Sequence, residues 1–222
     1  MKVIRWSHSA LKKFEQCPRQ YHEVKVLKKY PKVDTAYTLY GTEVHSAIED
    51  YINGKKLEDK YLSFKPVIDA ILKKPGRKHT ELEMGITTDL NPCKPDDLSV
   101  WAIGIADLAI IDDDNLLAWV VDWKTGSDRY PDMDQLVLMS LMIFAHFPHI
   151  RRVRSALVFL TKNTMPKHVM ERDEAKEHWQ KYRERVARLE SAFGSGVWNP
   201  KQGALCPWCP VTGCEHWKPP RS

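Results

Sequence analysis

The sequence predicts an α/β protein in which helices cover both faces of a β-sheet. The runs 100–111 and 116–123 are apolar, β-branched and aromatic, and the turn residues Asp112 to Asn115 separate them. Nearly continuous apolar strands are typical of a sheet buried on both faces, so we expect a buried hairpin here. A further apolar run at 153–161 indicates another buried strand. Three segments repeat apolar side chains at helical spacing, namely 37–52, 131–147 and 171–193.

The length and composition indicate one soluble domain. A chain of 222 residues with 43% hydrophobic residues is long enough for one substantial core. We expect a single domain over residues 1–222, with an N-terminal helical segment (1–36), a core (37–196) and a cysteine-rich tail (197–222). No apolar run approaches the roughly eighteen residues of a membrane span, and the first residues do not resemble a signal peptide. We therefore expect an intracellular, cytoplasmic protein with no membrane partner.

The charge and the cysteines restrict the partners. A formal net charge of +5 is compatible with a polyanionic partner. Five cysteines in an intracellular chain indicate metal or cluster ligation more than disulfides. The chain contains no phosphate-binding loop of the type found in P-loop ATPases, which excludes an ATP motor of that class.

Three polar side chains interrupt the apolar hairpin. Asp122 and Lys124 project from the same face of their strand because side chains alternate, and pairing across the turn can bring Asp107 to the same end. Magnesium and manganese prefer a few carboxylate oxygens, and a neighbouring lysine can orient water or neutralise developing charge. The hairpin therefore suits metal-assisted attack on a phosphodiester. A surface ion pair between Asp122 and Lys124 explains the same spacing without any chemistry.

Five motifs follow one another along the chain. They are SxLxxFxxCPRxY (Ser9 to Tyr21), YGTEVH (Tyr40 to His45), GIAD (Gly104 to Asp107), DWKTG (Asp122 to Gly126) and the cysteines Cys206, Cys209 and Cys214. Together with Gln135, the glutamine that follows the hairpin, these motifs resemble the PD-(D/E)XK nuclease superfamily, in its RecB-like branch. The amino-terminal and carboxyl-terminal motifs resemble the iron-sulfur subgroup of that branch, which includes CRISPR-adaptation exonucleases.

The resemblance implies a restriction-endonuclease-like core, a central mixed β-sheet flanked by helices. It also implies that His45, Asp107 and Asp122 are metal ligands, that Lys124 lies by the attacking water, and that Gln135 belongs to the catalytic set. The implied activity is Mg- or Mn-dependent hydrolysis of DNA in processing, recombination or repair, with attack from DNA ends as the expected mode. Recombination or replication proteins are the implied protein partners. The alternative is a catalytically inactive nucleic-acid-binding or scaffold protein with this fold.

The carboxyl-terminal tail has no periodicity, so a bound metal or cluster would explain how it becomes ordered. Thiolates spaced as in Cys206, Cys209 and Cys214 wrap a soft metal or a cluster. By the resemblance, Cys17 supplies the fourth ligand of a [4Fe-4S] cluster and the site joins the two termini. In the alternative, His216 completes a local structural zinc site.

Three further positions leave alternatives open. Glu81 and Glu83 share one face of a strand predicted at 80–87, and one of them can add to the acidic site. The basic residues 73–78 are interpreted as a solvated face, with contact to DNA as the minor alternative. Met139 stands where the family commonly has a tyrosine, which weakens a role of that helix in DNA contact.

Overall fold

The computed structural model describes residues 3–31 and 33–219, so the outermost parts of the predicted 1–36 and 197–222 segments lie outside the described residues. The described chain divides into two compact units. One unit is formed by residues 34–179, and the other by residues 4–31 and 33 together with 180–219. The expectation of a single domain over 1–222 stays a prediction.

The secondary structure alternates between helices and strands along the chain. In order, the elements are β1 (Trp6–Ser7), α1 (His8–Gln16), α2 (Pro18–Tyr21), α3 (Ala36–Ile52), α4 (Lys65–Leu72), β2 (Arg77–Thr87), β3 (Pro92–Cys93), β4 (Val100–Asp112), β5 (Leu117–Lys124), α5 (Met133–His146), β6 (Arg152–Phe159), β7 (Lys167–Glu171) and α6 (Ala175–Ser195).

Six strands of the 34–179 unit form a sheet in the order β3-β2-β4-β5-β6-β7. Neighbouring strands are antiparallel except β5 and β6, which are parallel. Helix α5 lies between β5 and β6 in the sequence, as a parallel connection requires. The sheet is therefore mixed, and the predicted mixed α/β fold is confirmed.

Helices pack on the sheet because its strands are apolar on both sides. On one face, Val44 and Ile48 of α3 and Ile68 of α4 join a core with strand residues such as Leu108 and Trp123, and all five are 0–1% exposed. Burying side chains of this size contributes about 1.5–3 kcal/mol each. On α5, Leu136 packs against the β6 residues Leu157 and Phe159. The acids of the hairpin are thus held on a sheet with a well-packed interior.

Local signals explain where the long helices begin. Thr35 caps α3, because its hydroxyl accepts from the Thr38 amide at 3.3 Å while the Thr38 hydroxyl accepts from the Thr35 amide at 2.9 Å. Helix α5 begins at Met133, two residues after the predicted Pro131, and ends at His146. The start expected for α6 at Glu171 is wrong, because Glu171 pairs with Arg152 at the end of β7.

The sequence did not predict the elements of residues 59–72. A 3-10 helix at Asp59–Phe64 leads into α4, and Tyr61 and Phe64 are buried. The segment itself contains only two lysines, Lys60 and Lys65, but basic residues flank it on both sides, and the whole stretch was interpreted from that charge. Strand β7 was also missed, since only Val169 and Met170 in it are strongly apolar.

The second unit has its own apolar contacts. Ser7 caps α1, because its hydroxyl accepts from the Ala10 amide at 3.3 Å. Trp6 stacks on Tyr182 of α6 with ring centroids 5.6 Å apart. Nε and Nη2 of Arg185 donate to Oε1 and Oε2 of Glu15, at 2.7 and 2.8 Å. None of the helices in residues 3–31 and 33–219 combines the length and apolar character needed to cross a bilayer.

Candidate active site

The hairpin register places two carboxylates opposite each other. Leu108 of β4 pairs with Val121 of β5, so Asp107 and Asp122 are the next residues along the two strands. The backbone amide of Trp123 donates to Oδ2 of Asp107 at 2.7 Å. The structure therefore brings Asp107 to the end of the hairpin where the sequence predicted it.

Asp122, Lys124 and Gln135 form a connected polar group. Asp122 is only 5% exposed, and its Oδ2 lies 2.5 Å from Nζ of Lys124. Gln135, in the first turn of α5, donates from Nε2 to Oδ1 of Asp122 and accepts at Oε1 from Lys124 Nζ at 3.1 Å. The glutamine thus contacts both members of the Asp-x-Lys pair and fixes their separation.

Helix α3 brings His45 to the acids. Its Nδ1 lies 3.4 Å from Oδ2 of Asp107. Gly41 lies one turn earlier on the same face of the helix, and a Cβ there would be 3.3 Å from the Thr125 hydroxyl. The missing side chain therefore allows the helix to approach the segment that follows Lys124.

Glu81 completes a compact ligand group that the sequence left open. His45, Glu81 and Asp107 each offer one ligand atom, and these three atoms all lie within 4.8 Å of one another. Glu81 has φ of 45° in the middle of β2, and the register passes from Thr80 to Leu82 around it. A left-handed conformation of a non-glycine residue is strained and is often retained at functional sites. The alternation of side chains along a strand does not single out Glu81, because it places Glu81 and Glu83 on the same face.

The carboxylates repel one another where they meet. Burial, followed by the charge of Asp107, raises the pKa of Asp122 to about 6. Burial and Asp107 also raise the pKa of Glu81 above its ordinary value. Burial lowers the pKa of His45, but its contact with Asp107 outweighs burial and the net pKa is raised. The site therefore favours the binding of positive charge.

A hard divalent cation fits this donor set. Magnesium and manganese take carboxylate oxygens, and manganese also accepts imidazole nitrogen. Asp107 and Glu81 present such oxygens beside His45, and Asp122 follows across the hairpin. The cation would relieve the repulsion that raises the carboxylate pKa values. The donors and their electrostatics therefore suit a metal ion.

The helix that carries Gln135 is otherwise buried. Met139 is 3% exposed, and a Cβ on Gly104 of β4 would approach its Cε to 2.4 Å. Because Gly104 has no side chain, α5 packs close to the sheet at Met139, the position where the family commonly has a tyrosine. In this chain Met139 is buried and contributes to the packing of α5 on the sheet.

Four cysteines of the second unit line one cavity of about 290 Å³, together with His216. They are Cys17, Cys206, Cys209 and Cys214. The Sγ of Cys17 accepts from the amides of Gln20 and Lys201 at 3.5 and 3.4 Å, and the Sγ of Cys206 accepts from the Gly203 amide at 3.3 Å. All four cysteines are free of disulfides. Backbone amides that donate to sulfur are favourable neighbours of a thiolate ligand.

In the part of the chain that the structure describes, the cysteines of this cavity do not form a compact metal-ligand group. Within residues 3–31 and 33–219, no three of the cysteine and histidine side chains at this cavity bring ligand atoms within 4.8 Å of one another. Sulfurs around a single tetrahedral zinc, each bound at 2.3 Å, would lie about 3.8 Å apart. The arrangement is therefore wider than a preformed mononuclear site. Cys93, on β3 in the other unit, does not line this cavity.

Comparisons with known proteins give the family of this chain and proteins of similar fold. The sequence profile of the PD-(D/E)XK nuclease superfamily matches residues 5–83 and 69–214. No curated protein matches the chain significantly. The crystal structure of a candidate exonuclease from Eubacterium rectale is similar over 100% of this chain and 91% of its own, with a TM-score of 0.55 and 14% identity.

A second crystal structure, of the protein SSO0001, is similar over 98% of this chain and 88% of its own, with a TM-score of 0.49 and 15% identity. At these identities, the Eubacterium rectale structure supports the fold alone. The family profile, by contrast, spans residues 5–214 and includes the acids, the lysine and the histidine described above. The chain therefore belongs to the PD-(D/E)XK nuclease superfamily.

Proposed function

We propose that this protein is a metal-dependent deoxyribonuclease of the RecB-like branch that hydrolyses phosphodiester bonds from DNA ends. The observation that carries the proposal is the meeting of Asp107, Asp122 and Lys124 at one end of the hairpin, with His45 beside them. Membership of a nuclease superfamily makes phosphodiester hydrolysis the natural chemistry for this set. The name of the Eubacterium rectale neighbour supports attack from ends.

The proposed metal ligands are His45, Asp107 and Asp122, with Glu81 added from the geometry. A bound Mg²⁺ or Mn²⁺ would polarise the phosphoryl oxygen and lower the pKa of a coordinated water. Asp107 is held in place by the Trp123 amide, so its carboxylate does not have to reorganise when the cation binds. The protein thus supplies a preorganised set of carboxylate ligands.

Lys124 is the proposed positioning group for the attacking water. Its Nζ lies between Asp122 and the Gln135 side chain, so its direction is fixed by two contacts. An ammonium at this point stabilises negative charge that develops on the phosphoryl group. Gln135 acts through these two residues and keeps the Asp122 carboxylate oriented. The protein's own groups therefore orient the nucleophile and balance charge.

A [4Fe-4S] cluster is the proposed occupant of the cysteine cavity. Ligation of each thiolate to a different iron fits sulfurs that share a cavity but lie apart, and amide donors to Cys17 and Cys206 support thiolate ligation. We propose a structural role, because the cavity collects cysteines from both ends of the sequence. Structural zinc with His216 in place of Cys17 is the alternative.

A nuclease time course tests the proposal. Linear DNA labelled at its ends and closed circular DNA are incubated with Mg²⁺ or Mn²⁺ and anaerobically purified protein. We expect linear DNA to be degraded, circular DNA to survive, and Asp122→Ala to abolish cleavage while DNA binding remains. Asp114→Ala, an exposed acid in the same hairpin, is the matched control. Cleavage of circular DNA would overturn the preference for ends, and absence of all cleavage would leave a binding or scaffold protein.

A further inference from the structure

A groove of about 340 Å³ lies on the face of the sheet beside α4, in the 34–179 unit. We call it the basic groove. It is formed by strands β5, β6 and β7 and by one side of α4. The residues that matter for its chemistry are Ile71, Lys74, Trp119, Arg154, Met165 and Lys167.

The strand register arranges the floor of the basic groove in two rows. Trp119 of β5 is in register with Arg154 of β6, and Arg154 is paired with Val169 of β7. In the next row, Ala156 is paired with Lys167. Paired residues project from the same face, so an indole, a guanidinium and an ammonium share this floor. Val169 is 53% exposed, which shows that the floor is open.

The cations of the basic groove differ from those around it. Lys65 lies 2.5 Å from Asp69, and Arg152 binds Glu171 at 2.5 Å. In contrast, the described residues provide no carboxylate partner for Lys74, Arg154 or Lys167. Lys74 lies over the Trp119 ring, 6.0 Å from its centroid. Unneutralised cations over an apolar floor indicate an occupant that carries both negative charge and flat apolar surface.

From this charge and shape complementarity we infer that the basic groove binds one unpaired strand of DNA, with a base against Trp119 and phosphates on Arg154 and Lys167. Bases stack on aromatic side chains and on guanidinium groups, and only unpaired bases expose the faces that stack. A sheet face carrying an aromatic ring between cations is a known platform for single strands. An acidic peptide would satisfy the cations but gives no reason for the indole.

The basic groove is separate from the acids of the candidate active site. Trp119 and Val121 project from the face of β5 opposite to Asp122 and Lys124, because side chains alternate along the strand. The inference goes beyond the proposed hydrolysis, and binding here does not depend on cleavage. It can therefore hold or fail independently of the nuclease activity.

The test measures DNA binding by fluorescence anisotropy in the full-length Asp122→Ala protein, with EDTA present. The probes are a labelled oligothymidine strand and a labelled duplex of equal length. The groove variant carries Arg154→Gln and Lys167→Gln. The matched control carries Arg152→Gln and Lys65→Gln, which removes the same charge from cations that are already paired.

We expect the groove variant to bind the single strand about tenfold more weakly, and the slope of log K against log salt to fall by about 1.4 for two phosphate contacts. Binding of the duplex and binding by the control variant should change less than twofold. Equal weakening in both variants would overturn the inference, because it would reflect net charge alone. Unchanged binding of the strand with loss of labelled polyglutamate binding would overturn it in favour of an acidic protein partner.

A crosslinking measurement remains informative if the variants are unstable. A strand containing 5-iododeoxyuridine is irradiated with the Asp122→Ala protein, and the crosslinked peptides are mapped by mass spectrometry. We expect adducts on peptides that contain Trp119 or Met165. Crosslinks confined to other peptides would overturn the inference.

Discussion

The backbone amide of Trp123 donates to Oδ2 of Asp107 across the hairpin at 2.7 Å. The bond links the strand that carries Asp107 to the residue between Asp122 and Lys124. It explains how two separate sequence motifs become one site, because a backbone donor fixes a carboxylate more firmly than an exposed side chain does. The proposed metal chemistry depends on this placement.

Lys124→Met tests the proposed charge-balancing role. The substitution keeps the length of the side chain but removes the ammonium beside Asp122. We expect kcat to fall by about 100- to 1,000-fold, the range found when one stabilising donor is removed from a transition state. DNA binding in EDTA should stay within threefold of the parent. A fall in binding with unchanged kcat would place Lys124 in substrate binding instead.

Gln135→Leu tests the bridge between Asp122 and Lys124. The substitution removes the contacts of the Gln135 amide with Lys124 and Asp122. The Asp122 carboxylate is then free to rotate, because the group that hydrogen-bonds to it and fixes its orientation is gone. We expect a 10- to 100-fold loss of activity or metal affinity, about the effect typical of such contacts. A Mn²⁺ titration monitored by electron paramagnetic resonance measures the metal affinity, and so distinguishes a loss of affinity from a loss of activity. Unchanged values for both would show that Gln135 only packs.

Glu81→Gln and Glu83→Gln form a matched pair on one strand. Only Glu81 lies within the compact group with His45 and Asp107. Removal of a ligand charge should weaken Mn²⁺ binding at least about tenfold, whereas Glu83→Gln should change it less than twofold. Isothermal titration calorimetry measures both. Equal effects would mean that long-range charge, and not ligation, determines the affinity.

The backbone of Glu81 gives a separate prediction for stability. Its φ of 45° is unfavourable for any side chain with a Cβ. The free energy of unfolding of the Glu81→Gly variant should therefore be about 1 kcal/mol higher than that of the Glu81→Ala variant. Denaturant titration compares the two variants. A less stable glycine variant would show that the local conformation relaxes after substitution.

The second unit should lose stability in acid through Glu15. Burial raises the pKa of Glu15, but the hydrogen bonds and charge of Arg185 outweigh it and hold the pKa below its ordinary value of 4.5. Because the folded pKa is depressed, the stabilisation is complete above about pH 4.5 and is lost as pH falls through the folded pKa. The difference in Tm between the parent and Glu15→Gln should therefore shrink below pH 4.5. A constant difference would contradict the linkage.

Metal counting distinguishes the two occupants of the cysteine cavity. We expect Cys206→Ser to lose iron and its visible absorbance, whereas Cys93→Ser, outside the cavity, keeps both. His216→Ala should leave iron unchanged. Zinc in the parent protein, lost on His216→Ala and retained on Cys17→Ser, would instead support the local zinc site.

Part of the fold could be predicted because its signals are local. The hairpin is an example: continuous apolar runs and a turn of four polar residues predict β4 and β5 to within a residue at each end. Leu39 lies at helical spacing with the other apolar residues of α3 but is 58% exposed, because the spacing does not reveal which turns of the helix pack on the sheet. The sequence did not predict the elements of 59–72, because a 3-10 helix of six residues and a helix of eight residues are too short to show a clear apolar period.

The sequence by itself determined the residue types, their order, and the alternation that puts Asp122 and Lys124 on one face of a strand. Only the tertiary structure decided that Glu81, and not Glu83, joins His45 and Asp107. That choice depends on a left-handed residue that interrupts strand pairing, and no local pattern encodes it. The same holds for the four cysteines, which share a cavity although 188 residues of chain lie between Cys17 and Cys206. Chain folding, not spacing, brings such groups together.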